Sequence, residues 1–330
     1  MSEGELRIGL IGGGRLAELG YLPALRAAHG VRLVALAELD PERRQRMAAL
    51  AGLATAYPNA AGLLAAEPVD ALVIATPAGA HLPDARLAAA AGLPTLVEKP
   101  PAADLAAATE LAGLVPTPRI GFNRRFVEPV AGLRAAIPAG AEIGLQLEIG
   151  YRRHGWGAHA AADDALLDLG PHLVDLARWL TRAEVTEVRR ATVTAERAEF
   201  DLILGAARAR IRCATDRPHH ELIDIRHRDG SPIGRHRQGG LRAAVRGRLR
   251  PAAGDHPLAA SLTAQLEALA RTVHGDPDPR LGRAADGVAV MAVLQAVRSC
   301  AAGDGRRVGP VVIRRSGAAA SRAGSPPSRP

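Results

Sequence analysis

The stretch LVEKPPA, residues 96–102, contains Lys99, the only lysine in a chain whose lysines and arginines together number 42. Either cation serves a solvated surface, so an arginine-biased composition replaces lysine there freely. Chemistry separates them: a guanidinium stays charged at any working pH, whereas a lysine ammonium is a compact donor whose proton affinity responds to burial and neighbours. Such a group can hold and polarise a carbonyl oxygen. A second reactive set stands in DLGPHLVD, where Asp168 and His172 lie four apart and Asp175 continues the same helical face. Imidazole titrates near neutrality and a carboxylate fixes its tautomer, so the pair suits proton transfer. A histidine bonded structurally to a helix-borne aspartate is the other reading of that spacing.

Both sets need a scaffold. Apolar runs at 5–11, 31–39, 69–77 and 93–100 read as strands, separated by helical stretches at 15–30, 40–52 and 81–92. Asp40 is placed as the N-cap of the second helix with Pro41 at its first position, and Pro23 should kink or interrupt the first. Strands alternating with helices and lacking hairpin turns imply right-handed crossovers and a parallel sheet. GLIGGGRLA sets Gly12, Gly14 and Ala17 in a G-x-G-x-x-A pattern right after the first strand, with Arg15 and Leu16 opening the helix. Gly12 permits the tight turn, Gly14 lets the backbone approach a pyrophosphate, and Ala17 lets helix and strand pack closely. Glu38 ends the second strand where the fingerprint requires a ribose-binding acid. Its carboxylate would repel a 2′-phosphate, which favours NAD over NADP, although Arg43 and Arg44 stand close by. Lys99 follows a strand of this sheet and precedes Pro100, at the carboxyl edge where such folds bind ligands.

Past GFNRRF at 121–126 the texture changes. A long helix is expected over 164–180, which Pro171 can break, with Gly170 as a cap for a second helix. Period-two segments at 184–196, 199–206, 207–215 and 220–230 read as an antiparallel sheet with one open face. Helices at 258–275 and 282–303 follow, and residues 314–330 are Ser, Ala, Pro and Arg of low complexity, expected to be disordered. The class is α/β: an N-terminal dinucleotide-binding Rossmann domain with a parallel sheet over 1–121, then an α+β domain over 122–313 with a largely antiparallel, open-faced sheet.

Several function classes are disfavoured. No apolar run reaches the roughly 20 residues of a membrane span, and the start MSEGEL is no signal peptide. Cys213 and Cys300 lack motif spacing and read as reduced thiols of a cytoplasmic protein, and no metal-ligand spacing occurs. The net charge of +8 gathers in the tail and in residues 234–254, without interleaved aromatics, so it reads as solvated surface rather than a nucleic-acid site. A phosphate-bearing substrate near Arg235 to Arg250 is the alternative reading of that segment.

GLIGGGRLA, ALAELDPERR, VIATPAGAH, VEKPPA, GFNRRF and ALLDLGPHLVDLARWL occur in one order, and together they resemble the Gfo/Idh/MocA family of oxidoreductases. The resemblance covers residues 5 to 313. It implies that Lys99, Asp168 and His172 match the family's catalytic lysine, aspartate and histidine. It also implies that Thr76, Pro77, His81 and Glu98 line the nicotinamide half of the cofactor, and that Arg124 and Trp156 lie near substrate. Open sheet faces commonly pair subunits in this family, so a homodimer or homotetramer is expected. One departure stands out. The glycine cluster usual before the LLDLG segment is replaced by Ala162, Asp163, Asp164 and Ala165. The two acids either cap the helix or line the pocket, where Asp163 would favour a substrate bearing an amine or several hydroxyls.

The expected activity is hydride transfer between NAD(P) and a hydroxyl or keto carbon of a sugar, cyclitol or nucleotide-linked sugar. In it His172 serves as acid–base, Lys99 as oxygen ligand, and Asp168 as the group that orients His172 or binds a neighbouring hydroxyl. An NAD-dependent glycosidase and a non-catalytic NAD-binding regulator are the rival readings.

Overall fold

The computed structural model describes residues 4–153, 163–239, 257–303 and 308. Trp156, the basic residues past Gly239 and the 314–330 tail lie outside them.

The chain runs β1 (Leu6–Ile11), a π-helical turn (Ala17–Tyr21), α1 (Leu22–Ala27), β2 (Val31–Ala37), α2 (Pro41–Ala51), α3 (Ala60–Ala66), β3 (Ala71–Ile74), α4 (Ala78–Ala90), β4 (Thr95–Val97), α5 (Leu105–Ala112) and β5 (Arg119–Ile120). It continues through a 3-10 turn (Asn123–Phe126), α6 (Glu128–Ala136), β6 (Ile143–Arg152), α7 (Ala165–Thr181), β7 (Glu187–Val193), β8 (Arg197–Leu204), β9 (Ala207–Ala214), β10 (Asp216–His227) and β11 (Pro232–Gly239). The last elements are α8 (Pro257–Val273), β12 (Gly282–Arg283) and α9 (Ala284–Ala301).

The first sheet has the order β12-β5-β4-β3-β1-β2, parallel throughout except for β12. Outside β2, Tyr57 bridges Ala37 in parallel, a remnant of one more strand. With that bridge counted, the order is the one typical of dinucleotide-binding sheets, reversing direction between β1 and β3. Strands β3 and β4 are buried at every position, as a sheet covered by helices on both faces requires. Parallel strands bring all their carboxyl ends to one edge, so Gly12, Thr76, Lys99 and Arg124 leave the sheet on the same side.

The second sheet has the order β11-β10-β6-β9-β8-β7. It is antiparallel apart from the β6–β9 pair. Strand β8 alternates buried Ala198, Phe200, Leu202 and Leu204 with half-buried or exposed residues, the pattern of a sheet packed on one side only. Its other face carries facing rows of opposite charge, among them Glu199 opposite Arg212 and Asp201 opposite Arg210.

Pro171 does not break α7. One helix runs from Ala165 to Thr181 with Pro171 inside it, and Gly170 is helical rather than a cap. A Cβ on Gly170 would come 3.0 Å from Leu294, so this glycine admits α9 at close range. The chain stays helical through Pro23, passing from the π-helical turn to α1 just before it, so the proline does not interrupt the helix. One core runs from β3 through β6 and β8 to α9, and a second joins β1 and α1 to α8. Helix α9 is long and apolar enough to cross a membrane, yet it is half buried here and its Asp286 pairs with Arg125 at 3.3 Å and Arg178 at 3.6 Å.

Candidate active site

The glycine turn is shaped by what a side chain would strike. Gly12 has φ +98°, and a Cβ on it would lie 2.7 Å from the Ala75 carbonyl, so neither conformation nor space admits another residue. A Cβ on Gly14 would meet nothing within 4 Å, which leaves the loop open on the side where Arg15 and Leu16 follow. Glu38 is buried and receives the Gly13 N–H at 2.7 Å and the Asp40 N–H at 2.9 Å. Asp40 itself caps α2, accepting the Arg43 N–H at 2.7 Å. Arg44 is occupied by the Glu38 and Leu39 carbonyls, and Arg43 stands 3.9 Å from the Glu38 carboxylate. The residues present therefore fit a dinucleotide: an open glycine turn, and a carboxylate at the end of β2.

His81 is buried and ties two loops together. One ring nitrogen lies 2.9 Å from the Pro100 carbonyl and the other 2.7 Å from the Thr76 carbonyl. Burial pushes its pKa down while the Thr76 and Pro100 carbonyls act the other way, and in its neutral form the ring donates to only one of the two. Thr76 also donates its hydroxyl to Asp84 at 3.1 Å, and Pro77 precedes the first residue of α4. Glu98 is buried against Gly121, accepts the Tyr21 hydroxyl at 2.6 Å, and receives the Lys99 N–H at 2.9 Å. Burial raises its pKa. Tyr21 comes from the π-helical turn that follows the glycines, so the dinucleotide helix reaches Lys99 through a buried pair.

Lys99 Nζ points across to α7. It donates to the Asp168 backbone carbonyl at 2.9 Å and stands 3.6 Å from the Asp168 carboxylate. His172, one turn further along α7, is almost wholly buried with its Nδ1 enclosed and unpartnered among the described residues. Burial first, then the Lys99 and Arg124 cations, hold its pKa well below the usual histidine range. Arg124 leaves the 3-10 turn after β5 and pairs with buried Glu221 of β10. Lys99 and Asp168 meet at the carboxyl edge of the first sheet, with His172 one turn further along α7 under the charge of Lys99.

Of the two roles expected for Asp168, one is not seen. Asp168 does not orient His172: its carboxylate is taken by the Tyr151 hydroxyl, by Arg153 Nη2 at 3.2 Å and by Lys99. Asp175 is equally absent from the set, held by buried Arg125 at 2.8 Å. The acid pair ahead of α7 splits. Asp164 is the N-cap, accepting the Leu167 N–H at 2.9 Å and pairing with Arg298 at 2.6 Å. The Asp163 carboxyl faces Asp168, Lys99 and Arg153, and burial raises its pKa.

The comparisons bear on this arrangement. Residues 6–117 match the model of the oxidoreductase family with an NAD-binding Rossmann fold, GFO_IDH_MocA. The match is confined to this first domain, about a third of the chain. An inositol 2-dehydrogenase of Acidothermus cellulolyticus is 32% identical over 192 residues, 56% of each chain. The rhizopine catabolism protein MocA of Rhizobium meliloti is 32% identical over 200 residues, 57% of this chain and 61% of that one. The chain thus matches little more than half the length of these curated relatives. Among solved structures, the scyllo-inositol dehydrogenase of Lactobacillus casei with bound NAD(H) and scyllo-inositol superposes with TM-score 0.75 at 18% identity, covering 92% of this chain and 99% of that one. The myo-inositol 2-dehydrogenase of Lactobacillus plantarum gives TM-score 0.76 at 19% identity over 92% of this chain and all of the other. At such identity these likenesses establish the fold alone, a two-sheet architecture shared over nearly the whole chain.

Sequence reasoning overlooked Tyr151, Arg153 and Glu221. The signal for the first two was present: EIGLQLEIGYRR alternates with period two and forms β6, the strand that delivers them beside α7.

Proposed function

We propose that this protein is a Gfo/Idh/MocA family member and an NAD-dependent dehydrogenase that moves hydride between nicotinamide and a CH–OH carbon of a cyclitol or related polyol. The observation that carries this reading is the meeting of Lys99 with α7, where His172 and Asp168 project, on the edge of the sheet that also bears the glycine turn. Support comes from relatives named inositol 2-dehydrogenase, in a family whose description is NAD-binding.

Gly12, Gly14 and the following N–H groups of Arg15 and Leu16 would hold the pyrophosphate, Glu38 the adenosine ribose, and the loops of Thr76, Pro77, His81 and Glu98 the nicotinamide half. NAD, when bound, supplies the hydride acceptor. His172 takes the hydroxyl proton as a neutral imidazole, a form that its burial and two facing cations favour. Lys99 donates to the same oxygen and stabilises the alkoxide charge as it develops. In ketone reduction the proton returns from His172. Asp168 keeps Lys99 aimed, while Asp163 and Arg124 receive the substrate's other hydroxyls.

Residues 1–121 serve as the dinucleotide unit and 122–313 as the substrate unit, in a cytoplasmic enzyme. The charge-laddered open face of the second sheet pairs subunits into a homo-oligomer. Glu38 favours NAD over NADP.

A panel of inositol isomers, inososes and keto-sugars, followed at 340 nm with each cofactor, tests the reading. NAD-linked turnover of a cyclitol at micromolar to millimolar KM is expected. Hydrolysis of a glycoside without added cofactor, or tight NAD binding with no turnover of any member, would overturn it.

A further inference from the structure

Asp168 and His172 are spaced to meet on one helix face, yet they do not, and the reason is on β6. Tyr151 lies near the end of that strand and Arg153 just past it, two residues on. The Arg153 N–H bonds the Thr215 carbonyl at 3.0 Å, extending the sheet's anchoring to the last residue of the pair. The Tyr151 hydroxyl donates to the Asp168 carboxylate, Arg153 Nη2 stands 3.2 Å from the same oxygen, and Arg153 Nη1 donates to the Asp163 carbonyl. Two side chains from a sheet thus hold a carboxylate of the helix packed against it. The Tyr151 phenol is itself pushed up by burial and then by Asp168, so at working pH it keeps its proton and remains a donor.

We propose that Tyr151 and Arg153 are positioning residues that hold the Asp168 carboxylate against Lys99 and away from His172. The division matters because it fixes which group each cation serves. With Asp168 turned toward Lys99, the lysine keeps an anionic partner, and among the described residues the charges that act on the imidazole are Lys99 from the loop after β4 and Arg124 from the turn after β5. His172 is then a base that stays neutral under mildly acidic conditions. Without the strand's grip, the carboxylate is free to turn along the helix face to His172, since residues four apart are neighbours there. A carboxylate beside imidazole favours the imidazolium, by about one to three pH units in close pairs. The proposal rests on the reading of His172 as the acid–base group, but its geometry can be tested without substrate.

The test is an NMR titration of the His172 ring in the full chain, with its signal assigned by loss in His172→Gln. Tyr151→Phe keeps the ring's volume and removes the donor. The expected result is an upward move of the His172 midpoint by about one unit or more, and its disappearance when Asp168→Asn is added. Arg153→Gln should move the midpoint the same way, and it carries the test if Tyr151→Phe does not fold. A midpoint unchanged in both single variants, or a rise that survives Asp168→Asn, would overturn the proposal. Where turnover is found, the acid limb of polyol oxidation should move with the ring. Lack of any turnover would sink the dehydrogenase reading and leave this one to be judged on the titration.

Discussion

Lys99 is fixed at both ends, its backbone N–H by Glu98 and its ammonium by α7, and residue-scale chemistry follows from that restraint. Oxidation needs neutral His172, whose pKa is depressed by burial and then by Lys99 and Arg124. A depressed value means that activity persists as pH falls through the ordinary histidine range near 6.5 and is lost only below it. Arg124→Met removes one facing cation, so the acid limb of kcat should move upward. A pH–rate profile checks this, and an unmoved limb would show that Arg124 does not act on the ring. Tyr21→Phe leaves an oxygen of buried Glu98 without its donor and should cost about 1–3 kcal/mol in urea unfolding. The lone lysine and the DLGPH segment were legible because residue type alone set them apart. Tyr151, Arg153 and Glu221 were not, because their roles arise from partners on other elements, α7 and its approach for the first two and the turn after β5 for Glu221.

Among elements, α7 carries the most. Its N-cap Asp164 also binds Arg298 of α9, so Asp164→Ala removes a cap and an exposed ion pair together. The cap accounts for about 1 kcal/mol and the pair adds little. Thermal or urea unfolding should register that loss with NAD affinity unchanged; an equal loss of NAD affinity would contradict the assignment of Asp164 to helix capping. At the glycine turn, Gly12→Ala forces a Cβ to 2.7 Å from the Ala75 carbonyl at φ +98°. It should abolish NAD binding by titration, whereas Gly14→Ala meets no protein atom and should weaken only the bound state. Strands β1 to β4 and helix α2 were legible because period, cap and turn agree there. The long helix expected over 164–180 is there, and the break that Pro171 could have made is not: packing against α9 and β6 keeps one helix through the proline. Strand β6 escaped notice although its alternation is clear, since the helix-forming residues before it drew no boundary.

Across the whole molecule, late segments return to the first sheet. Strand β12 pairs with β5, and α8 packs Leu262, Leu266 and Leu269 into the core of β1 and α1. No sequence period announces a two-residue strand or a helix's choice of partner, so the first half was read as more self-contained than it is. Arg125, in the turn after β5, ties α7 to α9 by pairing with Asp175 and Asp286. Arg125→Met would leave two buried carboxylates short of a partner, and breaking a buried pair in this way costs about 3–5 kcal/mol. Such a loss should appear as a lower midpoint in urea unfolding; an unmoved midpoint would contradict the tie. The central claim is hydride transfer at the Lys99–His172 site, and Lys99→Ala tests it most directly, with NAD affinity and 340 nm turnover of a cyclitol measured on the same preparation. The account predicts NAD affinity within a few-fold of the native chain and kcat lower by a factor of roughly 100 or more, the worth of an oxyanion donor. Turnover that survives the substitution, or NAD affinity that collapses with it, would contradict the account.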